Sequence, residues 1–154
     1  DRMKQRIKID LSTDDVITPS AIRYSYRLMF EDRSIELMTY TPETLLAEKI
    51  QTILARGITT TRMRDYYDVY EIVVGNKVSI DKEVLAEAFT ATCMKRKTIF
   101  GSEQIEKIVN EISTDEGLSN LWDLYKNDNF YVGDIKWTVV CEAVCAYIRN
   151  NISK

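Results

Sequence analysis

The chain has 154 residues, 45% of them apolar and 29% charged, with a formal charge of −3, so it can bury a core of its own and is too apolar to be a disordered tail. As a whole it is not basic enough for a nucleic-acid-binding arm or a membrane-surface peptide. It contains no histidine, which removes Ser-His and Cys-His pairs, imidazole metal ligands and any side chain that titrates near neutrality without a shifted pKa.

The sequence opens at Asp1 without an initiator methionine and reaches a strand-like run almost at once, so it is expected to be the interior of a longer protein. Residues 7–11, Ile-Lys-Ile-Asp-Leu, alternate apolar and polar with β-branched side chains and predict a short half-buried strand with Asp10 on its polar face. A loop with Asp14, Asp15 and Pro19 follows. Adjacent aspartates on an extended chain point opposite ways and cannot jointly hold a metal, so Asp14 and Asp15 read as loop residues. Residues 22–30 alternate again through Tyr24, Tyr26, Leu28 and Phe30, residues 31–34 form a polar turn, and residues 35–40 alternate once more. That pattern predicts an antiparallel hairpin with a loop longer than two residues.

At Thr41-Pro42-Glu43 the chain changes character: a threonine cap, a proline at the first helical position and an acid near the positive end of the dipole predict a helix to Arg56, stopped by Gly57. Its apolar stripe is Leu45, Leu46, Ile50, Ile53 and Leu54, and Lys49 falls inside it. Such a lysine either snorkels its ammonium to water along an apolar stem or needs a carboxylate or phosphate partner.

A second helix is predicted over residues 62–74, closed by Gly75-Asn76, with Met63, Tyr66, Tyr67, Tyr70, Val73 and Val74 as its buried face. Asp65 and Asp68 lie one turn apart on its flank, where like charges repel. Arg62 at i−3 from Asp65 and Arg64 at i−4 from Asp68 offer local relief.

Further helices are predicted at about residues 81–96, 102–111, 116–127 and 134–150. The fold class is therefore α+β: short N-terminal antiparallel strands followed by a helical bundle of about six helices. Cys141 and Cys145, four apart in the last helix, read with Cys93 as small buried apolar residues, with no disulfide and no zinc assigned. Lys95-Arg96-Lys97 reads as a helix end complementing its dipole, or as a basic patch for RNA. Trp122, Tyr125, Tyr131 and Trp137 are expected to pack the C-terminal helices together, whereas an exposed aromatic patch there would mean a partner surface. No apolar run is long enough to cross a bilayer and no charged-then-apolar leader is present, so a soluble cytoplasmic protein is expected.

Three segments taken in order, Thr-Pro-Glu-Thr-Leu-Leu-Ala-Glu-Lys-Ile at 41–50, Arg56-Gly57, and Arg-Met-Arg-Asp-Tyr-Tyr-Asp-Val-Tyr at 62–70, are similar to the paired LAEK and R-x-x-D-x-x-D motifs of AbiEii/AbiGii-type nucleotidyltransferases. These are toxins of abortive-infection and toxin–antitoxin systems. Lys8 to Leu11, Ile17 to Pro19 and Leu28 to Asp32 extend the resemblance, which is continuous over about residues 6–74.

The resemblance implies a nucleotidyltransferase core at residues 1–74 and a C-terminal helical region at 75–154, with nucleotide transfer from an NTP to an acceptor such as tRNA. It implies Lys49, Asp65, Asp68 and Asp10 as catalytic residues, Asp10 also as a metal ligand, Arg56, Arg62 and Arg64 as nucleotide- or RNA-binding residues, and Mg²⁺ and NTP as cofactors. Nucleotidyl transfer needs mainly positioning and charge neutralisation, and lysine serves phosphate as a point charge, so no histidine is required. The departure is the family's leading Gly-Ser turn with a downstream Asp-x-Asp strand: Gly101-Ser102 is the only Gly-Ser and precedes a helix. The expectation is thus a C-terminal portion that is inactive alone. The alternative is a non-catalytic helical interaction module that binds an antitoxin or associates with itself.

Overall fold

The structure, a computed structural model, describes residues 17–75 and 78–153; the expected strand at residues 7–11 with Asp10, and the loop aspartates Asp14 and Asp15, lie outside the described residues. Among the described residues the chain forms two strands and then six α-helices, an α+β fold. Strands β1 (Ile22–Arg27) and β2 (Ser34–Thr39) pair antiparallel, with Tyr24 opposite Leu37 and Tyr26 opposite Ile35. β1 ends earlier than the alternation predicts. The Leu28 N–H bonds the Arg33 carbonyl at 3.0 Å and Arg27 pairs with Asp32 at 3.0 Å, so Met29 and Phe30 are carried into the turn, 81% and 93% exposed.

Helix α1 (Pro42–Arg56) starts where the sequence dictates: the Thr41 hydroxyl accepts the Thr44 N–H at 3.3 Å and Pro42 opens the first turn. It stops at Gly57, whose φ of 50° places it in the region that disfavours a side chain, while its N–H bonds the Ile53 carbonyl. α1 is the central helix, packed between α2 (Met63–Val74) and α3 (Lys82–Lys95) and touching α4 (Ser102–Thr114). Leu46, Ile50, Ile53 and Leu54 are buried, each contributing about 1.5–3 kcal/mol. Leu45, expected in that stripe, is 39% exposed because it sits to one side, on the flank that Lys49 shares.

The buried face of α2 is rotated from the expected one: Met63, Tyr66 and Val69 are its fully buried apolar residues, Tyr67, Tyr70 and Val73 are half-buried, and Val74 is exposed. The reason is that α2 is clasped by α1 on one side and by α5 (Glu116–Asp128) and α6 (Trp137–Asn151) on the other. Tyr66 meets the edge of Trp137 at a ring separation of 5.1 Å, and the Trp122 indole donates to the Ile135 carbonyl at 2.9 Å. α6 begins three residues later than the pattern predicts, because a 3₁₀ turn, Phe130–Val132, and Gly133 at φ 62° take up the connection.

The end of α3 is a Schellman motif with Lys97 in the left-handed position at φ 53°: the Thr98 N–H bonds the Cys93 carbonyl and the Lys97 N–H the Met94 carbonyl. Arg96 turns back onto α1, donating to the Thr52 hydroxyl at 2.9 Å and to the Gln51 side chain. That arginine clasps two helices. Cys93, Cys141 and Cys145 are buried thiols, with the last two sulfurs 3.8 Å apart. Among the described residues no helix is long and apolar enough to cross a membrane.

Candidate functional site

Lys49 projects from α1 towards α2, and its ammonium lies 3.3 Å from Asp65 Oδ1 and 2.6 Å from Asp68 Oδ2. With its side chain 15% exposed, the lysine is not snorkelling into water; it bridges both aspartates of the next helix. Asp65 is buried, not on an exposed flank, and its other oxygen accepts from Arg62 Nε at 2.7 Å. The same contact raises the Arg62 pKa, first through the hydrogen bond and then through the charge of Asp65. Asp68 meets Arg64 Nε at 3.7 Å. Both local pairs suggested by the i+3 and i+4 spacings are present, and Lys49 ties them together across the helix gap.

The cluster lines an open cleft of ≈ 630 Å³ whose wall also includes Leu45, Tyr67, Glu71 and Ile72. Arg62 and Arg64 stand at its rim, their side chains 56% and 76% exposed. Arg56 is not brought to this cleft: seven residues along α1 from Lys49 is roughly 10 Å of helix rise, and Arg56 instead lines a groove with Ile58, Thr98 and Phe100. Asp10 lies outside the described residues.

An ammonium has three N–H donors. Two meet Asp65 and Asp68. Three cations and three carboxylates line the cleft, so an anionic ligand shares donors already engaged by Asp65 and Asp68. These residues do not fit a divalent cation. Asp65 and Asp68 are already neutralised by Lys49 and the arginines, and among the described residues no group of three His, Cys, Asp or Glu side chains is placed to hold a metal.

The family model described as nucleotidyl transferase AbiEii toxin, type IV TA system, matches residues 1–144, nearly the whole chain. The chain belongs to this family. The AbiEii match runs well past the motif-bearing helices, through α3, α4 and α5 and into α6, where the sequence alone offered only a helical pattern. No curated protein and no solved structure matches the chain. As an AbiEii member it is a nucleotidyltransferase-like toxin of a type IV toxin–antitoxin system, which implies an antitoxin counterpart.

Proposed function

We propose that the Lys49 cleft is the phosphate-binding part of a nucleotidyltransferase site, in which Lys49 contacts the triphosphate of an NTP and Arg62 and Arg64 add donors at the rim. The observation that carries the reading is the ammonium fixed between Asp65 and Asp68 at the wall of an open cleft. Holding a cation rigidly where charge develops on leaving pyrophosphate is one electrostatic contribution a protein makes to such a transfer. In this scheme Asp65 and Asp68 position Lys49, the transferred group is a nucleotide and the acceptor is RNA, tRNA included. We assign this machinery to residues 1–74, with residues 75–154 as its helical support. The described carboxylates do not fit Mg²⁺, and a role for Asp10 towards it rests on the resemblance alone. The Asp-x-Asp pair is absent from residues 1–154, and the chain by itself is proposed to bind NTP without transferring it.

The test is NTP binding by calorimetry for the wild type and Lys49→Met, with and without Mg²⁺, alongside transfer of labelled nucleotide to a tRNA pool. The expected outcome is at least tenfold weaker binding in the variant with its helix content retained, and no labelled RNA from either. Equal NTP affinity in both proteins overturns the phosphate role, and labelled RNA overturns the inactivity.

A second reading is supported by the hairpin, where Ile22, Tyr24 and Tyr26 on β1 and Leu37 on β2 are 43–52% exposed on one face. An apolar sheet face of this kind suits an interaction module that binds an antitoxin or a second copy of itself. Sedimentation of the wild type against Tyr24→Ser separates the two: loss of an oligomer with NTP binding intact favours the module.

A further inference from the structure

Beside the Lys49 cleft the surface turns aromatic. Tyr67, which lines the cleft next to Asp68, packs its ring 5.4 Å from that of Tyr131 and donates its hydroxyl to the Tyr131 carbonyl at 3.3 Å. Tyr131 in turn shares a hydroxyl–hydroxyl bond of 2.9 Å with Tyr125 and meets Phe130 edge-on at 6.1 Å. The 3₁₀ turn that carries these rings is anchored by Val132, which is buried, and held in shape by Gly133 at φ 62°. That rigid turn directs Phe130 outward, 94% exposed, with Tyr131 half-exposed beside it. The turn thus holds two neighbouring rings together at the surface rather than a single scattered one.

Charge distinguishes the partner. Arg64, 76% exposed at the cleft rim, lines the same cleft as Tyr67, whose ring packs on that of Tyr131, so the aromatic ledge adjoins the cleft rim. Exposed rings beside an exposed guanidinium match a flexible strand that carries flat bases and phosphates, since stacking serves the bases and the cation serves the backbone.

We propose that this ledge seats a single-stranded RNA, its bases stacked on Phe130 and Tyr131 and a backbone phosphate held by Arg64, so that the strand's end is directed into the Lys49 cleft. The last clause rests on the nucleotide-transfer reading; the stacking itself does not.

The experiment is fluorescence anisotropy of the whole chain with a labelled single-stranded RNA of about ten mixed nucleotides, and with a duplex of the same sequence as control. Phe130→Ala touches nothing in the core and is expected to weaken the single strand roughly five- to hundredfold, as loss of one stacked base does, with an unchanged melting temperature. Arg64→Gln is expected to lower the slope of log K against log salt by about 0.7, one phosphate's worth on a single strand. An RNA carrying 5-iodouridine should crosslink to Phe130 or Tyr131. Absence of RNA binding, equal affinity in Phe130→Ala, or duplex bound as well as single strand each overturns the proposal. Loss of a protein–protein association in Phe130→Ala with RNA affinity unchanged also overturns it and assigns the ledge to a protein. Failure of the NTP reading shows separately, as NTP affinity indifferent to Lys49→Met while Phe130→Ala still weakens RNA.

Discussion

Replacing Lys49 by methionine separates the ammonium from its stem. Methionine keeps an unbranched chain of similar length, so no large cavity opens beside Leu45 and Ile72 and the loss falls on the two charge-assisted bonds, 3.3 Å to Asp65 and 2.6 Å to Asp68. Breaking a fully buried ion pair from one side costs about 3–5 kcal/mol, and an exposed pair contributes at most about 1. Here Asp65 is 5% exposed but keeps Arg62, whereas Asp68 is 27% exposed and keeps only the longer contact to Arg64. The expected cost therefore lies between the two limits, about 1.5–3 kcal/mol, or about 3–12 °C in melting temperature at this chain length. Asp68→Asn alone should cost less, since Lys49 then retains Asp65. In the double variant the neutral amide at position 68 no longer repels Asp65, so the two costs should fall short of additivity by about 1–2 kcal/mol. Urea unfolding followed by circular dichroism reads all four proteins, with midpoints moving and slopes constant. A Lys49→Met cost below about 0.5 kcal/mol, or a coupling of zero, refutes the reasoning and returns the ammonium to solvent.

Tyr66 is fully buried and its hydroxyl lacks a partner among the described residues, so Tyr66→Phe should leave stability equal or higher by about 1 kcal/mol, checked by the urea midpoint at pH 8. Burial also pushes the Tyr66 phenol above its ordinary 10.0. The unfolded chain ionises first, so stability present below pH 10 is lost as pH rises, and Tyr66→Phe should flatten that decline between pH 8 and 11. Lys97, exposed at φ 53°, should be replaceable by glycine with a gain of about 0.5–1 kcal/mol in thermal unfolding. The variant carrying Lys49→Met, Asp65→Leu and Asp68→Leu together should unfold at or above the urea midpoint of Lys49→Met, because it removes the desolvation cost of the carboxylates as well as their attraction and leaves only the exposed Arg62 and Arg64 to water.

The elements were legible because each boundary carries its own chemistry. Thr41-Pro42 and Gly57 bracket α1, and Asp81, whose side chain accepts the Glu83 and Val84 N–H groups, opens α3. Lys49 stood out because it is a cation inside an apolar stripe, and Asp65 and Asp68 because like charges at one turn need relief. What the pattern did not carry was the direction each helix faces once it has two neighbours. A helical wheel ranks Tyr67, Tyr70 and Val74 with the core, yet α2 is gripped from both sides, so Val69 is enclosed and Val74 is not. Arg56 shares a face with Lys49 but lies two turns further on, a separation a linear motif does not express. Phe130 carried no signal in the pattern: only the backbone of the short turn reveals that it points out.

The placement of the ion cluster argues that it is retained for more than holding helices together. α1 and α2 already share Leu46, Ile50, Met63 and Tyr66, all but fully buried, in one core cluster, and apolar contact of that kind fixes two helices without charge. Charges at the margin of such a core are costly to desolvate and offset that cost only through partners. A purely structural cluster would close on itself, each donor matched. Instead, among the described residues, Lys49 meets two acceptors with three donors, and the arginines that complete the pairing stand at the mouth of a cleft with most of their surface in water. The buried half of the cluster is rigid and the exposed half is adaptable. That division favours the proposed phosphate site, in which one cation stays fixed while ligand phosphates come and go.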